Sequence, residues 1–386
     1  MISKLGEVAH LLLPPSSFPI RLGTAFTNLY KSKHVRYYLR LLLLQLRTMA
    51  PTMQAWQYAN IRGGLQNSLF LNKSANPPSA SSLKTHQILV EVISTAINPA
   101  DYKIAESLLA ALIVKKPATP GQDFCGRVVA AHATITSFRE GQLVFGRLEV
   151  QPKFGTLGQF VIAPSAGCVP LPPNVLPDDA AAIGTAGLTA YQSLPQDVVK
   201  PGARVFINGG SGGTGVFAIQ FAKVLGASVA VTCSTGNIEL CRSLGADDVI
   251  DYSKEDVVNA LIARGQVFDI AVDNVGPPGA LYKNSERFLK PGEKFIGVGL
   301  PGVAAIYNIL DSALRPGALG GGHRPFHFLR VKTKSQDLEQ IGKWMAEGKV
   351  KAVLDAVFEW ESAPKAFEML KTGHPKGKII VHCMGN

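Results

Sequence analysis

Glycines recur as Gly210-x-Gly212-x-x-Gly215 inside the run Val205 to Val216, VFINGGSGGTGV. Such a turn lets a pyrophosphate approach backbone N–H groups at a helix N-terminus, where side chains would hold it off. Gly213 and Thr214 fill the turn and Val216 opens the following helix. Val205 to Asn208 reads as a short buried strand, and Val216 to Leu225 as an apolar-rich helix. Strand, glycine turn and helix together separate a dinucleotide fingerprint from an ordinary glycine loop. Ser211 falls within the turn, and no GxSxG elbow with suitable flanks occurs, so hydrolase chemistry has no support.

The next strand end bears on which dinucleotide. Sites for NAD place an acid about twenty residues past the first glycines, on the ribose 2′-hydroxyl. Here the region reads Thr232-CSTGN, with no acid between Gly226 and Ile238. Ser234, Thr235 and Asn237 can donate hydrogen bonds to a 2′-phosphate, and Arg242 adds charge, which favours NADP(H). The same polar residues also suit the cap of a helix beginning near Asn237, and both roles can hold at once.

A metal finds little. Only His323 and His327 have ligand-like spacing, and Pro325 and the glycines from Gly320 argue against one helix face presenting both. Cys125, Cys168, Cys233, Cys241 and Cys383 form no CxxC pair and are odd in number. That suits a reduced intracellular protein whose cysteines pack as small apolar residues.

The elements that must position these groups fit a chain of 386 residues, 46% hydrophobic and 17% charged, long enough for two domains. No apolar run is long enough to span a bilayer as a helix. The net charge of +11 is concentrated early: Met1 to Ala50 holds seven basic residues and one acid. A leader, rather than a nucleic-acid surface, accounts for most of it. Residues 1–52 suit a mitochondrial presequence or a start assigned upstream of Met49 or Met53, giving a mitochondrial or a cytoplasmic location respectively. Residues 53–172 carry short strands broken by Pro and Gly and predict a partly open β-barrel. Residues 173–334 alternate strands (Arg204–Asn208, Ser228–Thr232, Asp248–Ile250, Asp269–Asp273, Lys294–Val298) with helices, predicting a doubly wound parallel sheet. Residues 335–386 read as helix, strand, helix and terminal strand, returning to the first domain.

The chain resembles the medium-chain dehydrogenase/reductase superfamily, in its zinc-independent quinone oxidoreductase and enoyl reductase branch. The matching segments include Ile97-NPADYK, Pro120-GQDFCGRVVA, Gly155-TLGQFV, Asp178-DAAAIGTAGLTAYQSL, Ser243-LGADDVIDY, Val272-DNVG, Phe288-LKPGEKFIGVG and Gly373-HPKGKIIV. The last of these and the glycines before His323 are similar to the reticulon-interacting oxidoreductase group and its fungal relatives; fungal trans-acting enoyl reductases lie nearby. The resemblance implies a GroES-like barrel beside a Rossmann domain. It places Asp101, Tyr102 and Lys103 at the nicotinamide end of the cleft, with Thr189, Asn274, Val275 and Gly276 facing the nicotinamide. Ser234, Thr235, Asn237 and Tyr252 resemble the 2′-phosphate pocket, although relatives often carry lysine where Asn237 stands. Lys378 reaches back toward the cofactor on this reading. Residues 108–114 and 300–330, with Tyr102 and Phe154, would line the substrate pocket.

Departures from the zinc alcohol dehydrogenases accompany that resemblance. Gln122 stands where their zinc-binding His would be, Asn98 where the first ligand Cys would be, and the cysteine-rich lobe is missing between Phe145 and Gly158. Without a Lewis acid, alkoxide formation loses its support, whereas conjugate reduction needs only a hydride, a proton and a donor at the carbonyl oxygen. Lys103 and Tyr102 are the candidate donors, with structural or ribose contact as the alternative and a bound water as another proton source. The expected function is NADPH-dependent reduction of quinones or α,β-unsaturated carbonyls, the substrate being a small molecule; the resemblance admits a homodimer. A non-catalytic NADPH-binding protein and an organelle-associated interaction protein are the competing readings.

Overall fold

The structure, a computed structural model, describes residues 52–107, 114–149, 154–276, 279–299 and 322–383. Met53 onward forms one compact unit. The expectations for the leader, for the 108–113 loop and for most of the 300–330 segment lie outside the described residues.

Short strands, buried over most of their length, build the first half. β1 (Met53–Gln57) pairs antiparallel with β2 (Phe70–Ala75). β3 (Gln87–Ile97) then becomes the spine of a seven-stranded sheet. It pairs antiparallel with β4 (Asp123–Ala131), β6 (Phe160–Pro164) and the terminal strand β15 (Lys378–His382). β5 (Leu143–Arg147) and β7 (Cys168–Pro170) continue beyond β4, and β14 (Leu354–Phe358) lies parallel to β15. A short helix, α1 (Pro99–Ala105), leaves the end of β3, with Pro99 in its first turn, where a missing N–H costs nothing.

The second half is a six-stranded parallel sheet in the order β10-β9-β8-β11-β12-β13. Its strands are β8 (Arg204–Asn208), β9 (Ser228–Cys233), β10 (Asp248–Asp251), β11 (Phe268–Asp273), β12 (Leu289–Gly297) and β13 (Phe326–Phe328). Chain order reverses between β8 and β11, the switch point where open α/β sheets bind ligands. The strand carrying His327 explains why it and His323 form no helical face; His323 lies instead 3.7 Å from Glu286.

α2 (Pro177–Ala181) packs on β3, β4 and β5 of the barrel sheet, and α3 (Leu188–Gln192), α4 (Gly215–Val224), α5 (Ile238–Ser243), α6 (Val257–Arg264) and α7 (Ala280–Lys283) belong to the nucleotide half. α8 (Ser335–Ala346) and α9 (Ala363–Lys371) follow β13 and β14 respectively. Although β14 and β15 complete the barrel sheet, Trp344 of α8 packs on the nucleotide half. Its ring lies 5.4 Å from Phe221 and 5.6 Å from Tyr191 between centroids. Burying side chains of this size contributes about 1.5–3 kcal/mol each. Phe154 packs with Phe160 around Met53, Ala55 and Ala75.

Among the described residues no helix is long and apolar enough to cross a membrane.

Candidate active site

The glycine loop sits at the switch point, between β8 and α4. A Cβ on Gly215 would run into the carbonyls of Gly209 and Gly210, so only glycine lets α4 start this close to β8. No side chain caps α4 at Thr214. Its first turn therefore offers N–H groups to an anion. The adjoining strands fix the loop. Thr232 Oγ1 accepts from Gly209 N–H at 2.8 Å and donates to Asn208 Oδ1 at 2.6 Å, and Asn208 Nδ2 donates to Asp273 Oδ1 at 2.8 Å.

The turn after β11 lies against this loop. Asn274 N–H donates to the Asn208 carbonyl at 3.2 Å, and a Cβ on Gly209 would meet Val275 at 2.8 Å. Val275 is 69% exposed, and Val275 N–H donates to Asp273 at 3.0 Å. Both ends of the Asn274 side-chain amide are buried without a hydrogen-bond partner. Leaving such groups unpaired is costly, so an amide held this way suits a ligand that pairs with it. With the glycine cradle, that orphaned amide fits a nicotinamide dinucleotide.

The turn after β9 gathers the predicted 2′ pocket. Asn237 Nδ2 donates to Ser211 Oγ at 3.1 Å and to Ser234 Oγ at 3.2 Å, joining the turn to the glycine loop. Its side chain does not cap α5, and its Oδ1 is buried without a partner. Thr235 donates to Asp251, while Tyr252, half exposed, ties back through its N–H to the Cys233 carbonyl at 3.1 Å. Arg242 is paired with Glu239 at 3.1 Å on the exposed face of α5.

At the barrel side a closed ring of hydrogen bonds runs through buried groups. Asn98 N–H donates to Asp101 Oδ2 at 2.7 Å, and Gln122 Nε2 to Asp101 Oδ1 at 3.3 Å. Arg147 donates to Gln122 Oε1 and Thr185 Oγ1, both at 3.0 Å. Thr185 donates to Asp123 Oδ1 and Asn98 Nδ2 to Asp123 Oδ2, each at 2.7 Å, which closes the circuit. Lys378 Nζ joins it by donating to Asn98 Oδ1 at 2.5 Å and to the Ile97 carbonyl at 3.1 Å. Two acids thus meet two cations. Burial above all, and then Asp123, push the Asp101 carboxyl up to about 7, against the Asn98 N–H and Lys378. Burial lowers the Lys378 pKa, against the pull of Asp123 and Asp101. A cavity of about 30 Å³ beside Asp101, also lined by Tyr58, Thr119 and Gln122, has room for one water.

A π-helical turn, Ile183–Gly187, presents Thr185 to the ring. Gly184 permits it, because a Cβ there would lie 2.5 Å from the Asp123 carboxyl. Thr189 follows on α3, buried, its hydroxyl donating to the Thr185 carbonyl at 2.6 Å.

Lys378 also lies beneath the glycine loop: its Cδ would be 3.1 Å from a Cβ on Gly213, and Gly377 N–H donates to the Ser211 carbonyl at 2.9 Å. Tyr102 is half-buried, with Lys371 Nζ 5.3 Å from its ring centre, and Lys103 is exposed. The structure therefore gathers Asp101, Thr189 and Lys378 around one network and links the glycine loop to the Ser234–Tyr252 cluster, while Tyr102 and Lys103 lie outside that ring. Asp123, Arg147, Thr185 and Asp251 were not anticipated from sequence. For Asp123 a signal existed, its place directly after Gln122 in the Pro120-GQDF segment.

Two family descriptions match: an alcohol dehydrogenase GroES-like domain over residues 84–173, and a zinc-binding dehydrogenase over residues 244–381. The trans-enoyl reductase pgmF of Aspergillus terreus is 46% identical over 346 residues, 86% of this chain and 97% of that protein. The 2-methylene-furan-3-one reductase of Solanum lycopersicum is 31% identical over 339 residues, 86% of this chain and 79% of that protein. The solved quinone oxidoreductase from Coxiella burnetii superposes with a TM-score of 0.75 at 29% identity, over 86% of this chain and all of that one. The chain belongs to the medium-chain dehydrogenase/reductase superfamily, in its quinone oxidoreductase and enoyl reductase branch, and is an oxidoreductase built for a nicotinamide cofactor.

Proposed function

We propose that this chain reduces quinones or the C=C bond of α,β-unsaturated carbonyls with NADPH and without zinc. The observation that carries the reading is the hydrogen-bonded ring beside the nucleotide cleft. Its Asn98 and Gln122 amides, at the positions where zinc-dependent relatives keep ligands, are engaged with Asp123, Lys378, Asp101 and Arg147. An amide already bonded at both ends is a poor zinc donor.

The glycine loop from Gly210 to Val216 and the start of α4 would hold the pyrophosphate. Ser234, Thr235, Asn237 and Tyr252 would surround the adenosine 2′ end, and Thr189 with Asn274, Val275 and Gly276 the nicotinamide end. A nicotinamide bound there supplies the hydride. Asp101 and Lys378 hold the N-terminus of α1 and the phosphate loop in fixed relation. Tyr102 and Lys103, also on α1, are the groups that would donate to the substrate oxygen or the α-carbon. Among the substrate classes, an enoyl substrate is favoured by the 46% identity to a trans-enoyl reductase.

The test is NADPH oxidation by the full-length protein against quinones, enals and enoyl thioesters. Turnover of at least one class is expected. NADPH binding with no turnover on any class would return the chain to a non-catalytic binding role.

A further inference from the structure

Sheet topology delivers an acid that the β9 turn itself lacks. Asp251 ends β10 and lies in register with Cys233, the last residue of β9. Its side chain is fixed: Oδ2 accepts from Thr235 Oγ1 at 2.5 Å and Oδ1 from Ser253 N–H at 3.0 Å, with the residue 6% exposed. We propose that Asp251 is a specificity-determining residue for the cofactor, its fixed negative charge working against a 2′-phosphate and holding NADPH preference down.

This rests on the NADP(H) reading of the same pocket. A hydroxyl has one proton. Thr235 gives its proton to Asp251 and so turns only lone pairs toward a ligand. The Asn237 amide nitrogen is shared between Ser211 and Ser234. Arg242, the cation that sequence offered for the phosphate, is paired with Glu239. The bonds from Thr235 and Ser253 keep the Asp251 carboxyl below the usual carboxylate range, so it stays charged at neutral pH. A ribose 2′-hydroxyl meets none of this repulsion. A 2′-phosphate meets a carboxylate whose charge Lys254 on the same turn only partly offsets, and a repulsive element of this kind sets specificity as effectively as an attractive one.

The experiment compares dissociation constants of NADPH and NADH for wild type and Asp251→Asn by fluorescence titration. Asparagine keeps the acceptor for Thr235 and loses the charge. NADPH should bind about tenfold tighter in the variant while NADH changes less than about twofold. Equal changes for both cofactors, or weaker NADPH binding, would overturn the proposal and leave Asp251 as a purely structural support of the turn. If Asp251→Asn folds poorly, Asp251→Ser reads the same ratio. A wild type that prefers NADH would refute the NADP(H) reading, whereas the role of Asp251 is decided by the ratio between variant and wild type.

Discussion

Lys378 Nζ donates to Asn98 Oδ1, and through that bond the strand docked on the glycine loop grips the residue that opens α1. The glycine loop and the N-terminus of α1 therefore share one buried cation.

Lys378→Met should destabilise the protein by about 1–3 kcal/mol, because it leaves the buried Asn98 Oδ1 without its donor and takes one of the two cations from the ring. Chemical denaturation measures it, and NADPH affinity should fall in parallel as the loop loses its underpinning. A midpoint close to wild type would mean that the ring does without its second cation.

Lys103→Met should lower reduction of an unsaturated carbonyl at least about tenfold while changing NADPH affinity much less. Steady-state kinetics beside a binding titration separates the two effects. Tyr102→Phe, which removes one hydroxyl, is the companion variant. If neither slows turnover, solvent delivers the proton and the chain contributes orientation and a dry cleft.

NADPH should bind about tenfold tighter than NADH, a difference of roughly 1.4 kcal/mol. Ser234→Asp should shift the preference toward NADH by placing a carboxylate in the turn after β9. Equal wild-type affinities would remove the argument from the acid-free turn.

Activity should survive prolonged chelation, since Asn98 and Gln122 are occupied within the ring. Stoichiometric zinc in elemental analysis, lost together with activity, would show that the site had been misread.

His382 ties the terminal strand to α2. Its Nε2 lies 2.9 Å from Asp178, which also accepts from Ser94. The Asp178 bond, with added pull from Glu359, raises the histidine above its ordinary 6.5. The folded state therefore holds that proton more tightly than the unfolded chain. The stabilisation is fully present below about pH 6.5 and is lost as pH rises through the raised value. For so exposed a pair it amounts to about 1 kcal/mol or less. Melting curves of wild type and His382→Gln should differ most under mildly acidic conditions and converge in alkali. A gap that widens with pH would contradict the assignment.

What sequence revealed was what short spacing encodes. Gly210, Gly212 and Gly215 announce their loop because strand, turn and helix are contiguous, and the strand beginning at Arg204 follows from its own apolar run. Asn98 and Lys378 are 280 residues apart, and no local pattern links them. Asp251 is not visible in the stretch past the glycines, because β10 supplies it from the adjacent strand. Nothing in the run Ile183–Gly187 announces a π-helical turn, which Gly184 allows by leaving room for Asp123. Lys103 and Tyr102 drew attention by residue type, but their placement depends on how α1 is held.

The spine strand β3 must wait for its partner: Ile97 and Lys378 are separated by 281 residues. During synthesis, β4 and β6 can join β3 early, yet its remaining edge stays bare until β15 emerges, after the entire nucleotide half has been made. Bare edges of this kind invite pairing with other chains. A nascent molecule is thus most in need of chaperone cover late in translation, and a premature stop before Lys378 would cost both the barrel seam and the floor of the glycine loop.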